Sequence, residues 1–435
     1  MKRWLLAIAA LASACAPVEL PPEGQIRLFI DTDAILPPAV GEDDGGQMAL
    51  FDRLRIEIFP PGESVACAGC TREIGIDHRI VFEGRASIGI VPPPGEGGRR
   101  ARIRLYRSTG ADSAEPRPTS MLEAVVALPA VEAEGIVDVH VVLRTDDLGT
   151  PQGTLDAPIA AQPGPAEGGL AGTWAAAARR GCAGAPADGE VCVPGGAFWM
   201  GDPSFIVPTE RLVVLSPYWL DATEVTVARF RAAGFVSPLA HGSGAMAHCT
   251  FTKQPGAFED LPLSCLTRPL AQKFCEAKGG ALVSEAQWEM AASARRSAPF
   301  VWGSDTPRCE DAVIARLNPS TGLPGKCKAL GVDFQLPGAG LRDRLELEGG
   351  TIVDLMGNLI EWMRDDWATD DEPCWSAPIL HDPVCESDGH PLTYSIRGSG
   401  WAGTPARASE REFNEVSMPN VGSMQIGFRC ARSVE

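Results

Sequence analysis

The stretch DLMGNLIEW (Asp354–Trp362) contains two carboxylates seven residues apart, Asp354 and Glu361. Gly357 and Asn358 lie between them, and both residue types tolerate a left-handed backbone. A carboxylate, a tight turn that exposes carbonyl groups and a second carboxylate form the kind of loop that wraps a hard cation such as calcium. A turn between two buried segments, without a metal, is the alternative. The spacing alone leaves both interpretations open, because calcium loops share only loose patterns.

The same stretch resembles the signature GLYDMxGNVWEW of the formylglycine-generating, or sulfatase-modifying factor, family. Further motifs on both sides extend the resemblance, so that six ordered motifs lie between residues 191 and 432. The other five are VPGGAFWMGD (Val193–Asp202), YWLDATEVTVARF (Tyr218–Phe230), ALVSEAQWEMAA (Ala281–Ala292), IRGSGW (Ile396–Trp401) and IGFRCA (Ile426–Ala431). The resemblance implies a compact, irregular α+β fold of the C-type-lectin kind for the C-terminal half of the chain.

The resemblance also implies what chemistry to look for. Members of the family oxidise a cysteine of a sulfatase to formylglycine with molecular oxygen and copper(I), which two cysteine thiolates hold just after the GGSW motif. Soft thiolates suit copper(I). Residues 402–413, which follow Trp401 here, contain no cysteine. We therefore expect the family's fold without copper, and we assign no catalytic residue.

The ligands of the family's calcium site, unlike those of its copper site, are present in this chain as oxygen donors. The resemblance assigns the side chains of Asp354 and Glu361 and the carbonyl oxygens of Gly357 and Leu359. A second family site uses an asparagine and a downstream Asp-Gly-Phe. Its nearest counterparts are Asn318 and Asp333-Phe334, which lack the glycine. We predict one structural calcium ion, bound by the first set.

Cysteine usage predicts a disulfide-bonded, exported protein. The chain has thirteen cysteines, and the twelve that follow Cys15 form an even set. The CxxC pair Cys67 and Cys70 can also be redox-active or half of a zinc site, but the sequence has no second CxxC to complete a zinc site. The family resemblance implies a long-range bond between Cys275 and Cys430. Spacing favours the local pairs Cys67–Cys70, Cys182–Cys192, Cys249–Cys265, Cys309–Cys327 and Cys374–Cys385.

The first fifteen residues have the pattern of a secretory leader. Two basic residues precede the apolar run Trp4–Leu11, which is too short to span a bilayer, and small residues follow it. Cys15 lies where bacterial lipoproteins carry the lipid-modified cysteine, although Ala12 replaces the usual leucine. A plain cleaved signal peptide is the alternative. Ala16, rather than aspartate, predicts an outer-membrane lipoprotein that faces the periplasm or the cell surface and is attached through lipid alone.

The 435 residues are enough for two or three domains. Residues 1–15 are the signal peptide with its lipobox, and the Pro- and Glu-rich residues 16–24 are a tether. Period-two alternation over 25–145 predicts an all-β, antiparallel sandwich of the immunoglobulin-like kind. Residues 146–181, rich in Gly, Pro and Ala, are predicted to be a linker. The family-like domain occupies 182–435.

The net charge of −18 argues against nucleic acid as a partner. We predict a lipoprotein whose family-like domain is a pseudoenzyme, that is, a non-catalytic binding or scaffold module for an unknown protein or glycan of the cell envelope. One alternative is an active envelope enzyme with an unrecognised metal site, for which His241 and His248 are candidates. The other is a lectin-like module in which Trp375 and Trp401 stack on sugar rings. The loops after Trp401 and around Cys374–Cys385 are the expected binding surface.

Overall fold

The structure is a computed structural model of the whole chain. It describes residues 24–42, 48–108, 111–112, 115–163, 170–203, 209–318, 323–331, 333–386, 393–415 and 424–434. The predicted leader, the lipidation site Cys15 and all but the last residue of the tether lie outside these residues. Within the described ranges, no helix has both the length and the apolarity needed to cross a bilayer.

Two β-sheets form the N-terminal domain. Their strands and the one helix are β1 (Gln25–Thr32), β2 (Arg53–Phe59), β3 (Thr71–Gly75), α1 (His78–Phe82), β4 (Ser87–Ile90), β5 (Arg100–Tyr106), β6 (Ala111–Asp112), β7 (Glu115–Pro116), β8 (Met121–Ala127), β9 (Ile136–Leu143), β10 (Ile159–Ala160) and β11 (Gln162–Pro163). The orders are β11-β9-β1-β4 and β10-β8-β5-β2-β3, and β6 pairs with β7. Leu54, Ile56 and Ile58 of β2 are buried, as their alternation predicted.

The pairing differs from the all-antiparallel sandwich that the sequence predicted. β1 runs parallel to β9 along its whole length, from Gln25 opposite Ile136 to Thr32 opposite Leu143. β10 also runs parallel to β8. Alternation of apolar residues indicates which face of a strand is buried but not the direction of its neighbour, so the parallel pairs carried no signal. The immunoglobulin-like class remains a prediction.

The predicted linker is partly built into the N-terminal domain. β10 and β11, within residues 146–181, extend the two sheets by pairing with β8 and β9. Trp174, also in this segment, is buried, and its indole N–H donates to Asp146 at 2.8 Å. These short strands were not predictable from the sequence, because a strand of two residues leaves no periodic pattern.

The C-terminal domain is mostly β-structure with few helices. Its elements are β12 (Glu190–Val193), β13 (Gly196–Met200), β14 (Arg211–Leu215), β15 (Tyr218–Asp221), α2 (Val227–Ala232), α3 (Arg268–Ala277), β16 (Ala281–Leu282), α4 (Glu285–Ala292), β17 (Arg344–Leu347), β18 (Gly350–Val353), β19 (Ile360–Asp366), β20 (Ile379–His381), β21 (Thr393–Arg397), β22 (Glu412–Glu415), β23 (Ile426–Gly427) and β24 (Cys430–Ser433). Sheets β12-β15-β24-β16, β13-β14-β20 and β22-β21-β19-β23 surround α4, and β17 pairs with β18. The predicted capping box of Ser284 and Gln287 begins α4.

All six predicted disulfides are formed, which confirms the pairing read from the sequence. They are Cys67–Cys70, Cys182–Cys192, Cys249–Cys265, Cys275–Cys430, Cys309–Cys327 and Cys374–Cys385. The Cys275–Cys430 bond joins α3 to β24, which are 155 residues apart in sequence. Such a long loop restricts the unfolded chain most strongly, so this bond contributes roughly 4–5 kcal/mol in the chain-entropy description.

The two domains share one hydrophobic core, which includes Leu54 and Ile103 from the first and Trp199 from the second. The Trp199 indole N–H donates to the Leu50 carbonyl at 2.8 Å, and its ring meets Phe51 edge-on at 5.9 Å. The two sheets of the first domain and the sheets of the second therefore pack as one body at this seam.

The loop closed by Cys374–Cys385 contributes a strand to the fold, and several of its residues, among them Ser376, Pro378 and His381, are exposed. It contains β20, which pairs in parallel with β14. Pro378, at its centre, lies near Gly149 of the N-terminal domain. The cysteine spacing predicted the closed loop correctly but gave no indication of the strand inside it.

Candidate functional site

The stretch Asp354–Trp362, which we call the motif turn, leads from β18 into β19. Asp354 and Asn358 adopt positive φ angles of 56° and 68°. Gly357 is closely surrounded, because a Cβ atom there would lie 2.8 Å from the main-chain nitrogen of Val313. Two polar residues with left-handed backbone and a glycine that no larger residue can replace explain why this local sequence forms so tight a turn.

Glu361, at the end of the motif turn, forms a buried ion pair. Its two carboxylate oxygens accept from the Arg429 Nε–H at 2.8 and 2.9 Å, and Oε2 also accepts from the Trp288 indole at 2.9 Å. Glu361 and Arg429 are both almost completely buried. Burial raises the pKa of Glu361, and the charge and hydrogen bonds of Arg429 oppose that rise.

Asp354 is only half satisfied. Its Oδ2 accepts from the Gly338 N–H at 2.6 Å, whereas its Oδ1 is buried and has no hydrogen-bond partner. Two further carboxylates, Glu224 and Asp343, are buried beside it. Burial raises the pKa of Asp354 to about 6, and burial with repulsion from Asp354 raises the pKa of Asp343 to about 8. Four carboxylates thus share the charge of Arg429, an arrangement that an additional cation would relieve.

The predicted calcium ligands fit a cation in part. Asp354 Oδ1 is the kind of buried, unpartnered oxygen that a calcium ion would use. Glu361 is less suitable, because both its oxygens already accept hydrogen bonds. No group of three or more His, Cys, Asp or Glu side chains in the described part of the chain is arranged to hold a metal ion. Calcium at Asp354, Gly357, Leu359 and Glu361 therefore stays a prediction.

The candidates for a second calcium site have other partners. Asp333 Oδ2 lies 2.9 Å from Nδ1 of His248, and its Oδ1 accepts from the Phe334 N–H. Asn318 donates its main-chain N–H to the Leu323 carbonyl. The imidazole thus occupies a direction from which a cation would approach Asp333. His241, the other candidate histidine, contacts the Cys249 carbonyl through Nδ1 at 3.1 Å.

The region where the resemblance places copper has no thiolate pair. Every cysteine among the described residues is in a disulfide. Trp401 is completely buried and packs with Val313, Leu359 and Phe334, and Arg429 is equally buried. The space between the Trp401 loop and the strand of Arg429 is therefore filled. Trp375 is also buried, so neither predicted tryptophan presents a face to a sugar ring.

An open cavity of about 310 Å³ lies instead at the junction of the two domains and is lined in part by the loop that follows Trp401. We call it the seam cavity. Its lining comes from both domains and includes Arg107, Asp202, Glu210, Ser293, Arg407 and Ser409. Polar side chains therefore form much of the lining, beside Pro203, Ala298 and Pro299, and an arginine from outside the family-like domain completes it.

The charged groups of the seam cavity are arranged as ion pairs. Arg407 donates to Asp202 at 2.6 Å. Glu210 accepts from Arg107 and, at 3.2 Å, from Arg117, so that the two N-terminal arginines hold a C-terminal carboxylate. Burial raises the pKa of Glu210, and the two arginines oppose that rise.

The wall of the seam cavity is fixed by α4. Glu289 accepts from the Gly201 N–H at 2.6 Å and from Arg397 at 2.9 Å. Arg397 also donates to Glu285 at 2.9 Å. The motif ALVSEAQWEMAA is thereby bonded to IRGSGW and to the end of VPGGAFWMGD. Sequence reasoning found these motifs but not the cavity, because Arg107 belongs to another domain.

Comparison with known protein families finds a match over the C-terminal half of the chain. The family model described as Sulfatase-modifying factor enzyme 1-like domain matches residues 175–434. PvdO from Pseudomonas aeruginosa is similar in structure, with 19% identity over 56% of this chain and 94% of that chain and a TM-score of 0.42. Treponema denticola variable protein 1 gives 17% identity, 56% and 94% coverage and a TM-score of 0.41. CarF has 15% identity over 57% of this chain and 98% of that chain, with a TM-score of 0.38. No curated protein matches the chain.

Proposed function

The chain belongs to the sulfatase-modifying factor family through its C-terminal domain, and on that basis we propose that it is a non-catalytic member, a binding or scaffold module of the cell envelope. The observation that carries the proposal is that the loop after Trp401 has no cysteine while the chain's other twelve cysteines besides Cys15 are all joined in disulfides. Copper(I) held by thiolates needs a reduced pair. The family's oxidation has no such ligands in this chain.

The seam cavity is the binding site in this proposal. It lies beside the loop that follows Trp401, which the sequence predicted to be part of the binding surface. Unlike the space between Trp401 and Arg429, which is filled, this cavity is open. Arg407 and Ser409 of that loop line it. A rigid wall built on α4 and the disulfides can present such a loop without changing the frame.

The arrangement of the domains supports membrane attachment at the N-terminus. β1 begins at Gln25 beside the loops that precede β5 and β9, whereas Arg107, which contacts the C-terminal domain, follows the opposite end of β5. A lipid on Cys15 would therefore hold the sandwich end at the membrane and point the family domain away from it. We propose an outer-membrane lipoprotein because Cys15 lies at the lipobox position and is followed by Ala16 rather than aspartate. Calcium at the motif turn belongs to the same proposal, as a structural ion.

An activity assay tests the central claim. The full-length chain without its leader is incubated with copper(I), oxygen and a sulfatase-derived cysteine peptide, next to an active copper-containing member of the family. Mass spectrometry is expected to show the aldehyde only with the active member. Aldehyde formation by this chain, or stoichiometric copper or iron in the purified protein, would favour the enzyme alternative and end the proposal.

A further inference from the structure

We propose that the seam cavity binds a neutral, hydroxyl-rich small molecule of the mono- or disaccharide class, and that the N-terminal domain completes the site. The inference rests on the proposed function as a binding module and adds to it the class of ligand. Three observations support it: the balance of charge around the cavity, the geometry of its ion pairs, and its size.

The pairing of the lining charges disfavours a ligand with a net charge. Each charged group of the described lining has a partner of opposite sign: Arg407 with Asp202, Arg107 with Glu210, and Glu289 with Arg397. A ligand with a net charge would add an uncompensated charge to a partly desolvated cavity, which is costly. An uncharged ligand meets no such cost.

The ion pairs offer donors and acceptors side by side. A guanidinium donates and the adjacent carboxylate accepts, so two neighbouring hydroxyl groups of a sugar can bind one pair together, one accepting and the other donating. Asp202–Arg407 and Glu210–Arg107 provide two such pairs in one cavity. The hydroxyl groups of Ser293 and Ser409 add further partners of both kinds.

The size and the origin of the walls are also consistent. A volume of about 310 Å³ is at the small end of ligand cavities, which span roughly 300–1,000 Å³. Arg107 comes from the N-terminal domain and is held by Glu210, which is itself nearly buried. Neither domain alone forms the site, so recognition of the ligand depends on both.

The test is calorimetric titration of the full-length chain without its leader. The probes are neutral sugars (glucose, galactose, maltose and N-acetylglucosamine) and their charged counterparts glucuronate and glucosamine. We expect at least one neutral sugar to bind. We expect the Kd of each charged counterpart to be at least about tenfold higher. Absence of binding by every neutral sugar, or tighter binding of a charged one, overturns the inference.

Variants locate the site and test the role of the pairs. Ser409→Phe fills the cavity and is expected to abolish binding. Asp202→Asn removes the carboxylate charge beside Arg407, so the preference should shift towards glucuronate, which a merely structural role of Asp202 would not produce. Glu259→Gln breaks another partly exposed pair, with Arg231, and should leave binding unchanged. Circular dichroism verifies folding of each variant.

The outcomes separate this inference from the proposed function. Unchanged sugar binding by Ser409→Phe would overturn the seam cavity as the site. No sugar binding together with no aldehyde formation ends the inference and leaves the non-catalytic module in place. Aldehyde formation, in contrast, ends the proposed function whatever the sugars do.

Discussion

The motif turn and the seam cavity both pair carboxylates with arginines, but water reaches the two regions to different extents. Arg429 and Glu361 are completely enclosed, whereas about half of the Arg407 side chain, 49%, is exposed. An enclosed pair loses far more when one partner is removed, because the other charge stays buried. An exposed pair loses little when one partner is removed, and its remaining donor and acceptor positions stay open to a ligand. The same chemistry thus serves structure in one place and recognition in the other.

The largest expected effect is that of Arg429→Met. The substitution leaves Glu361 buried without its cation and removes donors to the carbonyls of Asp221 and Asp354. We expect a loss of about 3–5 kcal/mol in the free energy of unfolding, measured by urea denaturation. A loss under 1 kcal/mol would mean that the pair is not buried as described.

Calcium is expected to have the next largest effect. If the ion binds at the motif turn, a concentration one hundred times its Kd raises the free energy of unfolding by about 2.7 kcal/mol. Chelation should lower the unfolding temperature of the wild-type chain and leave that of Asp354→Asn unchanged. Equal responses of the two proteins to chelation would remove calcium from Asp354.

Asp343 predicts a dependence on pH in calcium-free buffer. Its pKa is about 8 in the folded chain against an ordinary pKa of 3.8, so the folded state binds the proton more tightly than the unfolded state. The contribution of this group to stability is fully present below 3.8 and is lost as the pH rises through 8. Between those values the slope is at most about 1.4 kcal/mol per pH unit.

Denaturation curves at pH 5, 7 and 8.5 measure that slope. Asp343→Asn, which cannot ionise but keeps an oxygen for the N–H groups of Leu355 and Met356, should be markedly less sensitive to pH. A wild-type chain that becomes more stable on going from pH 5 to pH 8 would contradict the burial of this carboxyl group.

The smallest effect is expected at the seam cavity. Arg407→Met removes an exposed partner of Asp202 and should cost about 0–1 kcal/mol, even though it is chemically the same change as Arg429→Met. Urea denaturation of the two variants in parallel measures the contrast directly. Equal losses would mean that the two regions do not differ in the way their exposure indicates.

Features that depend on residues close together in the sequence could be predicted from the sequence. The six motifs, the five local disulfides and the capping box of α4 depend on residue types at short spacing, and the structure has the disulfides and the capping box. The long-range Cys275–Cys430 bond, in contrast, was implied by the family resemblance. The motif turn, like the local disulfides, was found from residue types at short spacing. Its partner Arg429 lies 68 residues from Glu361, within a motif that was recognised but whose side-chain contact no spacing rule specifies.

What escaped sequence reasoning depends on contacts between distant segments. β10 and β11 are too short for a periodic pattern, so they were assigned to a linker. Arg107 and Glu210 are 103 residues apart and belong to different domains. The seam cavity exists only where those domains meet, and neither half of the sequence contains its whole lining.

The position of Trp199 has a consequence for how this protein can be divided. The family match begins at residue 175, so a cut at that boundary appears natural from sequence. It would strip Phe51 and the Leu50 carbonyl from the indole and bring a large aromatic side chain to the surface, where exposed apolar patches promote aggregation. We therefore expect the family domain of this chain to need the first domain in order to stay folded and soluble, because the first domain covers part of its core.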